Sequence, residues 1–286
     1  CSKCNCLQLI NIPEDYSKYY PKEYYSFQPI VTKTNLIKKY LKRQLSNYHF
    51  TNPNNVIGYL LAKIHKPIFF DWLIRIKVNY DSTILDIGCG NGQMLCSLSS
   101  YGFKKLTGID PYINSDLSYD NGVIILKKHI FDIDTQYDLI MLNHSFEHME
   151  SPLLVLRQLY RNLKPQRYLL LRIPFFPSYA WEKYGVNWVN LDAPRHLFLH
   201  SEKSIEFLVE NSNFQVADII YDSSEFQFWG SEQYRKNISL LDPNSYYISK
   251  KQSEFTRKNI YNFRLKANEI NKKGMGDTVC IYLYKQ

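Results

Sequence analysis

The stretch ILDIGCGNG, residues 84–92, places three glycines within five positions, directly after an apolar run interrupted by Asp86. Such a run reads as a buried strand that turns tightly into a helix. Glycine reaches φ > 0 without a Cβ clash and lets a ligand approach bare backbone. Downstream the alternation continues. Residues 83–87, 105–109, 123–126, 139–142, 168–173, 214–221 and 278–284 read as strands, with helices at 93–100, 152–163 and 202–211. This order predicts an α/β fold, a mostly parallel sheet covered by helices on both faces. Two long interruptions, 174–200 and 222–276, read as lids or pocket walls. The second carries a helical pattern from 249 to 273, with Ile260, Phe263, Ala267 and Ile270 as its stripe and Lys250, Lys251, Arg257, Lys258 and Arg264 around it. There are no internal repeats.

Ahead of this domain, assigned to 81–286, the segment 31–80 reads as a helical extension. Apolar residues recur at helical spacing over 35–47 and 55–65, and Pro67 allows a further helix to about residue 78. Residues 1–30 hold a C-x2-C pair, Cys1 and Cys4, and a Tyr/Pro-rich linker at 16–27. The pair has the spacing of a zinc knuckle but is half of a tetrahedral site. Asn5 after it suits a left-handed turn. A surface cysteine cluster or a lipid-modified N-terminal cysteine are the competing readings. Cys6 clusters with the pair, whereas Cys89, Cys96 and Cys280 are scattered, which fits a reducing compartment.

Composition bounds the partners. In 286 residues, 45% hydrophobic and 22% charged, no apolar run approaches the roughly 20 residues of a membrane span, and no signal peptide is visible. A cytoplasmic protein is the expectation. The net charge of +8 suits an anionic partner (a nucleotide, a phosphorylated sugar or a nucleic acid) without choosing among them, and solvated basic faces are the more common outcome. Nothing here sets an oligomeric state.

The glycine loop discriminates between ligands. A phosphate loop needs G-x-x-x-x-G-K-[ST], and no lysine follows. The dinucleotide fingerprint is G-x-G-x-x-G, whereas Gly88, Gly90 and Gly92 give G-x-G-x-G. The next strand ends in LTGIDPY, where the carboxylate of Asp110 can accept both ribose hydroxyls of an adenosine moiety. Asp86 suits the ammonium of a methionine tail better than a pyrophosphate.

With LDIGCGNG, GID, YDLIMLNHSFEHMESP and LKPQRYLLLRIP in this order, the chain from about residue 84 onward resembles the class I S-adenosylmethionine-dependent methyltransferases. The resemblance implies a Rossmann-like fold with a seven-stranded sheet whose last strand, GDTVCIYLYK, is antiparallel. It also implies S-adenosyl-L-methionine as cofactor, with Asp86, Gly88, Cys89, Gly90 and Gly92 around the methionine moiety, and Asp110 and Pro111 at the ribose. Asn143 and His144 then lie beside the cofactor, and residues 129–132 are the candidate stretch near the adenine.

Methylation of a hydroxyl requires alignment and a base. Candidates are His144, Glu147 and His148 in NHSFEH, and His196 in LDAPRHLFLH, where Asp192 and Arg195 also lie. The Glu-His pair can equally cap the following helix, and Arg195 can grip a phosphate or pair with Asp192. Tyr179, Trp181, Tyr184 and Trp188 can stack on a sugar or fill the lid's own core, the latter being expected for at least half of them. The C-x2-C stretch, LDAPRHLFLHS and GMGD are similar to methyltransferases of glycan biosynthesis, which often carry an N-terminal zinc ribbon and some of which act on nucleotide-linked sugars. That resemblance implies a small-molecule or glycan acceptor, O-methylated or, for a keto sugar, C-methylated, and zinc in a full ribbon. An RNA methyltransferase and a non-catalytic cofactor-binding scaffold are the rivals. Charge spread along the chain and the lack of an N-P-P-[YF] motif argue against nucleic acid.

Overall fold

The computed structural model describes residues 1–13, 19, 30 and 35–286. Most of the Tyr/Pro-rich linker lies outside the described residues. The short strand β1 (Leu7–Gln8) is followed by helices α1 (Leu36–Phe50), α2 (Val56–Ile64) and α3 (Ile68–Arg75). The alternating part comprises β2 (Thr83–Ile87), α4 (Gln93–Ser100), β3 (Lys105–Ile109), β4 (Leu117–Ser118), β5 (Ile124–Leu126), β6 (Tyr137–Asn143), α5 (Pro152–Asn162) and β7 (Leu163–Pro174). The first insertion supplies α6 (Tyr179–Tyr184) and β8 (Phe198–Leu199). Then come α7 (Glu202–Glu210), β9 (Gln215–Tyr221), α8 (Phe226–Tyr234), α9 (Arg257–Lys272) and β10 (Thr278–Lys285).

The main sheet has the order β4-β5-β3-β2-β6-β7-β10-β9, with β10 antiparallel to both of its neighbours. The seven expected strands are all present, and the two-residue β4 adds an eighth, antiparallel, at the edge. Both faces are covered, and the period of two along each strand divides the core. Leu85, Ile140, Leu142, Leu169, Leu171, Val279 and Ile281 pack with α5 and α7. Ile84, Leu139, Met141, Leu170, Cys280 and Tyr282 pack with α3 and α4. Because β10 is sandwiched in both directions, it reads as an unbroken apolar run rather than an alternating one.

Three expectations need correction. The helix of the second insertion begins at Arg257 rather than 249, because Thr256 and Asn259 cap each other there; the preceding residues form turns. The same insertion also contains α8, which is buried on most sides, polar residues included, and so carries no apolar stripe that would mark it in the sequence. β7 begins at Leu163 rather than 168, since Leu163 pairs with Tyr137 ahead of a register shift.

The N-terminal strand docks on the first insertion, with β1 antiparallel to β8 and the Cys4 carbonyl accepting from Ser201 Oγ. Asn5 adopts the left-handed conformation, φ +56°. All six cysteines are free thiols, and among the described residues Cys1 and Cys4 join no third His, Cys, Asp or Glu ligand. Among the described residues no helix is long and apolar enough to cross a membrane.

Candidate active site

The chain crosses from one half of the sheet to the other between β2 and β6, and the loops leaving β2, β3 and β6 open onto one cavity of about 750 Å³. Such a switch point is where open α/β sheets bind ligands. Asp86, Gly88, Cys89, Asp110, Pro111, Asn143, His144 and His148 line the cavity. Gly90 and Gly92 shape its loop from behind.

Steric detail explains the glycines. Gly88 has φ +71°, and a Cβ there would lie 2.5 Å from Ser145 Cβ, while Ser145 Oγ donates to the Ile87 carbonyl at 2.7 Å. Gly92, φ +82°, opens α4 where a Cβ would meet Ile125 Cδ1 at 2.5 Å. Between them Gly90 N–H donates to Asp110 Oδ2 at 2.9 Å, and Tyr112 N–H donates to Oδ1 at 2.8 Å. The loop and the end of β3 are thus locked together through one carboxylate. Burial, opposed by these two amides, still raises the Asp110 carboxyl. Burial and the nearby Asp110 push Asp86 to about 7, and burial keeps the Cys89 thiol neutral. Two buried acids beside bare backbone favour a ligand carrying positive charge and hydroxyls. An S-adenosylmethionine molecule, with ammonium, sulfonium and ribose, has that chemistry. His129, Ile130 and Phe131 line the far side of the cavity, whereas Asp132 turns back to accept from His129 N–H at 3.2 Å.

The acids and imidazoles of NHSFEH and LDAPRH meet at the opposite wall. Glu147 is fully buried, with His144 Nδ1 at 3.4 Å and His196 Nε2 at 3.7 Å from Oε1. Neither contact has hydrogen-bond geometry, and among the described residues neither Glu147 oxygen has a hydrogen-bond partner. Both His148 and His196 donate from Nδ1 to a backbone carbonyl, of Arg195 at 2.7 Å and of Asn190 at 2.8 Å. Their rings lie 4.8 Å apart. Burial alone would raise Glu147, but the surrounding imidazoles outweigh it and hold the carboxyl down, to about 2. Burial also keeps His196 neutral down to about 4.

His144 sits in the left-handed region, φ +53°, a conformation costly for a non-glycine residue. Its Nε2 accepts from Arg172 Nη1, and Arg172 is itself held by Asp222 at 2.9 Å. The ring lone pair of His144 is thereby occupied, which disfavours it as a base. Arg195 donates from Nη2 to Asp192 Oδ1 at 2.6 Å, so the Asp192 pairing is the observed alternative. Trp188 and Tyr184 are buried in the lids' own cluster with Leu199, Phe228 and Ala267, and Tyr179 and Trp181 pack against it. The sequence reading missed Ser145, Tyr112 and Arg172. The small residue in NHSFEH was a usable signal for Ser145; nothing signals Arg172, whose partner lies 50 residues away.

A sequence profile of the family described as "Methyltransferase domain" matches residues 58–219, more than half of the chain. The chain belongs to this methyltransferase family. Together the profile, the glycine loop and the fold make the protein an S-adenosylmethionine-dependent methyltransferase. Among its relatives, the "Ubiquinone biosynthesis O-methyltransferase" of Rickettsia bellii is 25% identical over 182 residues, covering 56% of this chain and 75% of that one. The "EEF1A lysine methyltransferase 2" of Homo sapiens is 40% identical over 53 residues, 18% of this chain and 22% of the relative. A cyclopropane synthase structure from Mycobacterium tuberculosis superposes with a TM-score of 0.49 at 15% identity, covering 89% of this methyltransferase and 95% of that chain.

Proposed function

We propose that this methyltransferase methylates a hydroxyl of a sugar or glycan precursor. When bound, S-adenosylmethionine supplies an electrophilic methyl group. Asp86 and the backbone at Gly88 and Cys89 would hold its methionine end and Asp110 and Pro111 its ribose, with Asn143 and His144 beside it and Gly90 and Gly92 fixing the loop. The observation that carries hydroxyl chemistry is the imidazole pair behind the cavity wall. Each ring has its Nδ1 proton committed to a carbonyl, so each presents Nε2 as the basic nitrogen, and His148 reaches the cavity itself. A relative named as an O-methyltransferase supports the same chemistry.

A small polar acceptor is favoured by the lining of Tyr112, Asn143, Glu150 and Arg195. The test uses methyl-labelled S-adenosylmethionine and the purified protein with an extract from its own source, resolved into RNA, protein, glycan and small-metabolite fractions. Label in the sugar-containing fractions is expected. Label confined to RNA or protein overturns the acceptor class.

A further inference from the structure

Glu147, His148 and His196 each bring one ligand atom to within 4.8 Å of the others, and among the described residues no other such group of His, Cys, Asp and Glu occurs. Three observations mark this cluster as built for a cation. First, the Glu147 carboxylate is fully buried and, among the described residues, no donor meets either oxygen in good hydrogen-bond geometry, His144 Nδ1 at 3.4 Å and His196 Nε2 at 3.7 Å being its polar neighbours; a buried carboxylate costs several kcal/mol unless a cation compensates it. Second, the Nδ1 protons of both histidines go to main-chain carbonyls. This fixes the tautomer and leaves Nε2 as the donor atom, the outer-shell arrangement that metal-binding histidines use. Third, a second carboxylate adds negative charge beside the cluster, Asp192 Oδ2 standing 3.7 Å from His196 Nε2. His144 does not join as a ligand, because its Nε2 accepts from Arg172. Its Nδ1 faces the carboxylate at 3.4 Å.

We propose that Glu147, His148 and His196 bind one divalent transition-metal ion of the zinc type, with an open coordination position facing the cavity that His148 lines. Two imidazoles and one carboxylate are a donor set for such ions, at metal–ligand distances of about 2.0–2.2 Å. Side-chain shifts of about 1 Å close the present spacing to that geometry. The open position is where an acceptor oxygen would coordinate and be acidified, a role that rests on the hydroxyl-methylation reading; the binding of the ion does not rest on it. With the ion in place, His148 and His196 would hold the metal and the acceptor's proton would pass to water in the cavity; without the ion, His148, which lines the cavity, remains the base.

The experiment uses the full chain treated with a chelator and titrated with Co²⁺ or Zn²⁺ alone, followed by calorimetry and the visible spectrum of the cobalt form. One ion per chain is expected, without thiolate-to-metal absorption. Glu147→Gln and His196→Gln should weaken binding by about 10-fold or more, whereas Cys1→Ser with Cys4→Ser should leave it unchanged. X-ray absorption of the zinc-loaded wild-type protein gives an answer even where a variant misfolds. Nitrogen and oxygen neighbours at about 2.0–2.2 Å with imidazole scattering support the site, and sulfur at about 2.3 Å overturns it. Failure of the wild-type chain to bind, or wild-type affinity in both variants, also overturns it. S-adenosylhomocysteine binding by the metal-free protein is read separately: its loss would count against the methyltransferase reading and leave the metal result standing.

Discussion

Asp86 lies in the buried part of β2 beside the cavity, and its carboxyl has a raised pKa of about 7 because water is excluded and Asp110 lies close. The folded chain thus prefers this group protonated. Its contribution to stability is fully present below the unfolded value, near 4, and is lost as pH rises through about 7. The buried His200 works in the opposite sense. Burial lowers it to about 4, so its contribution is present above about 6.5 and lost as pH falls through about 4. A ligand bringing an ammonium or sulfonium group selects the ionised Asp86. The affinity for S-adenosylhomocysteine, which keeps the ammonium, should therefore rise as pH climbs toward 7, by up to about tenfold per unit, and level off above it. Asp86→Asn should flatten that slope. Calorimetry across the range checks it, and an unchanged slope in the variant would remove Asp86 from the cofactor site.

Among the elements, β2, β6 and β7 are tied at their N-terminal ends by one side chain. Asp138 Oδ2 accepts from Thr83 N at 2.8 Å, Thr83 Oγ1 at 2.7 Å and Lys164 Nζ at 2.9 Å, and Oδ1 from Arg167 Nε at 3.2 Å. Burial raises this carboxyl, but Thr83 and Lys164 outweigh it and draw it down to about 2. Asp138→Ala leaves an amide and a hydroxyl without their acceptor and should cost about 2–4 kcal/mol of stability. Chemical denaturation gives the number, and a loss within 0.5 kcal/mol or so, the usual range for surface substitutions, would show that the clamp is dispensable. The strands themselves were legible because apolar runs bounded by turn residues are local. Thr256 was harder to read, since a T-x-x-N cap inside a polar stretch competes with many equivalent serines and asparagines. The Lys250 and Lys251 side chains consequently lie ahead of α9, not on it.

Across the whole molecule, the two insertions form a second, smaller core above the sheet, built from Trp188, Tyr184, Phe228, Ala267 and Ile270. Asp277, buried just before β10, anchors it by accepting from Trp188 Nε1 and Asn190 Nδ2, both at 2.8 Å. The Asn190 carbonyl in turn holds His196 Nδ1, so the anchor also positions the imidazole cluster. Asp277→Ala should speed hydrogen exchange of residues 179–199 by about 10-fold or more while leaving the strands of the sheet protected. Exchange unchanged over 179–199 would mean that the lid is held by apolar packing alone.

What the sequence determined by itself was local. The strand–helix alternation follows from periodicity, the sharp turn from three glycines within five residues, and the acid after the second strand from the length of one helix and one strand. These features come from steric rules acting over a few residues, and they suffice for the fold and for the loops that open onto the cavity. The tertiary structure decided which polar groups meet. Glu147 and His148 leave the loop after β6, and His196 arrives from an insertion after β7. Nothing in the chain between them encodes that they converge around one buried carboxylate. It likewise decided that Arg172 occupies His144, and that Tyr184 and Trp188 fill a core rather than face a ligand. Contacts between distant segments depend on how the whole sheet and its lids pack, because side-chain chemistry specifies what a residue can bind but not which partner will be within reach.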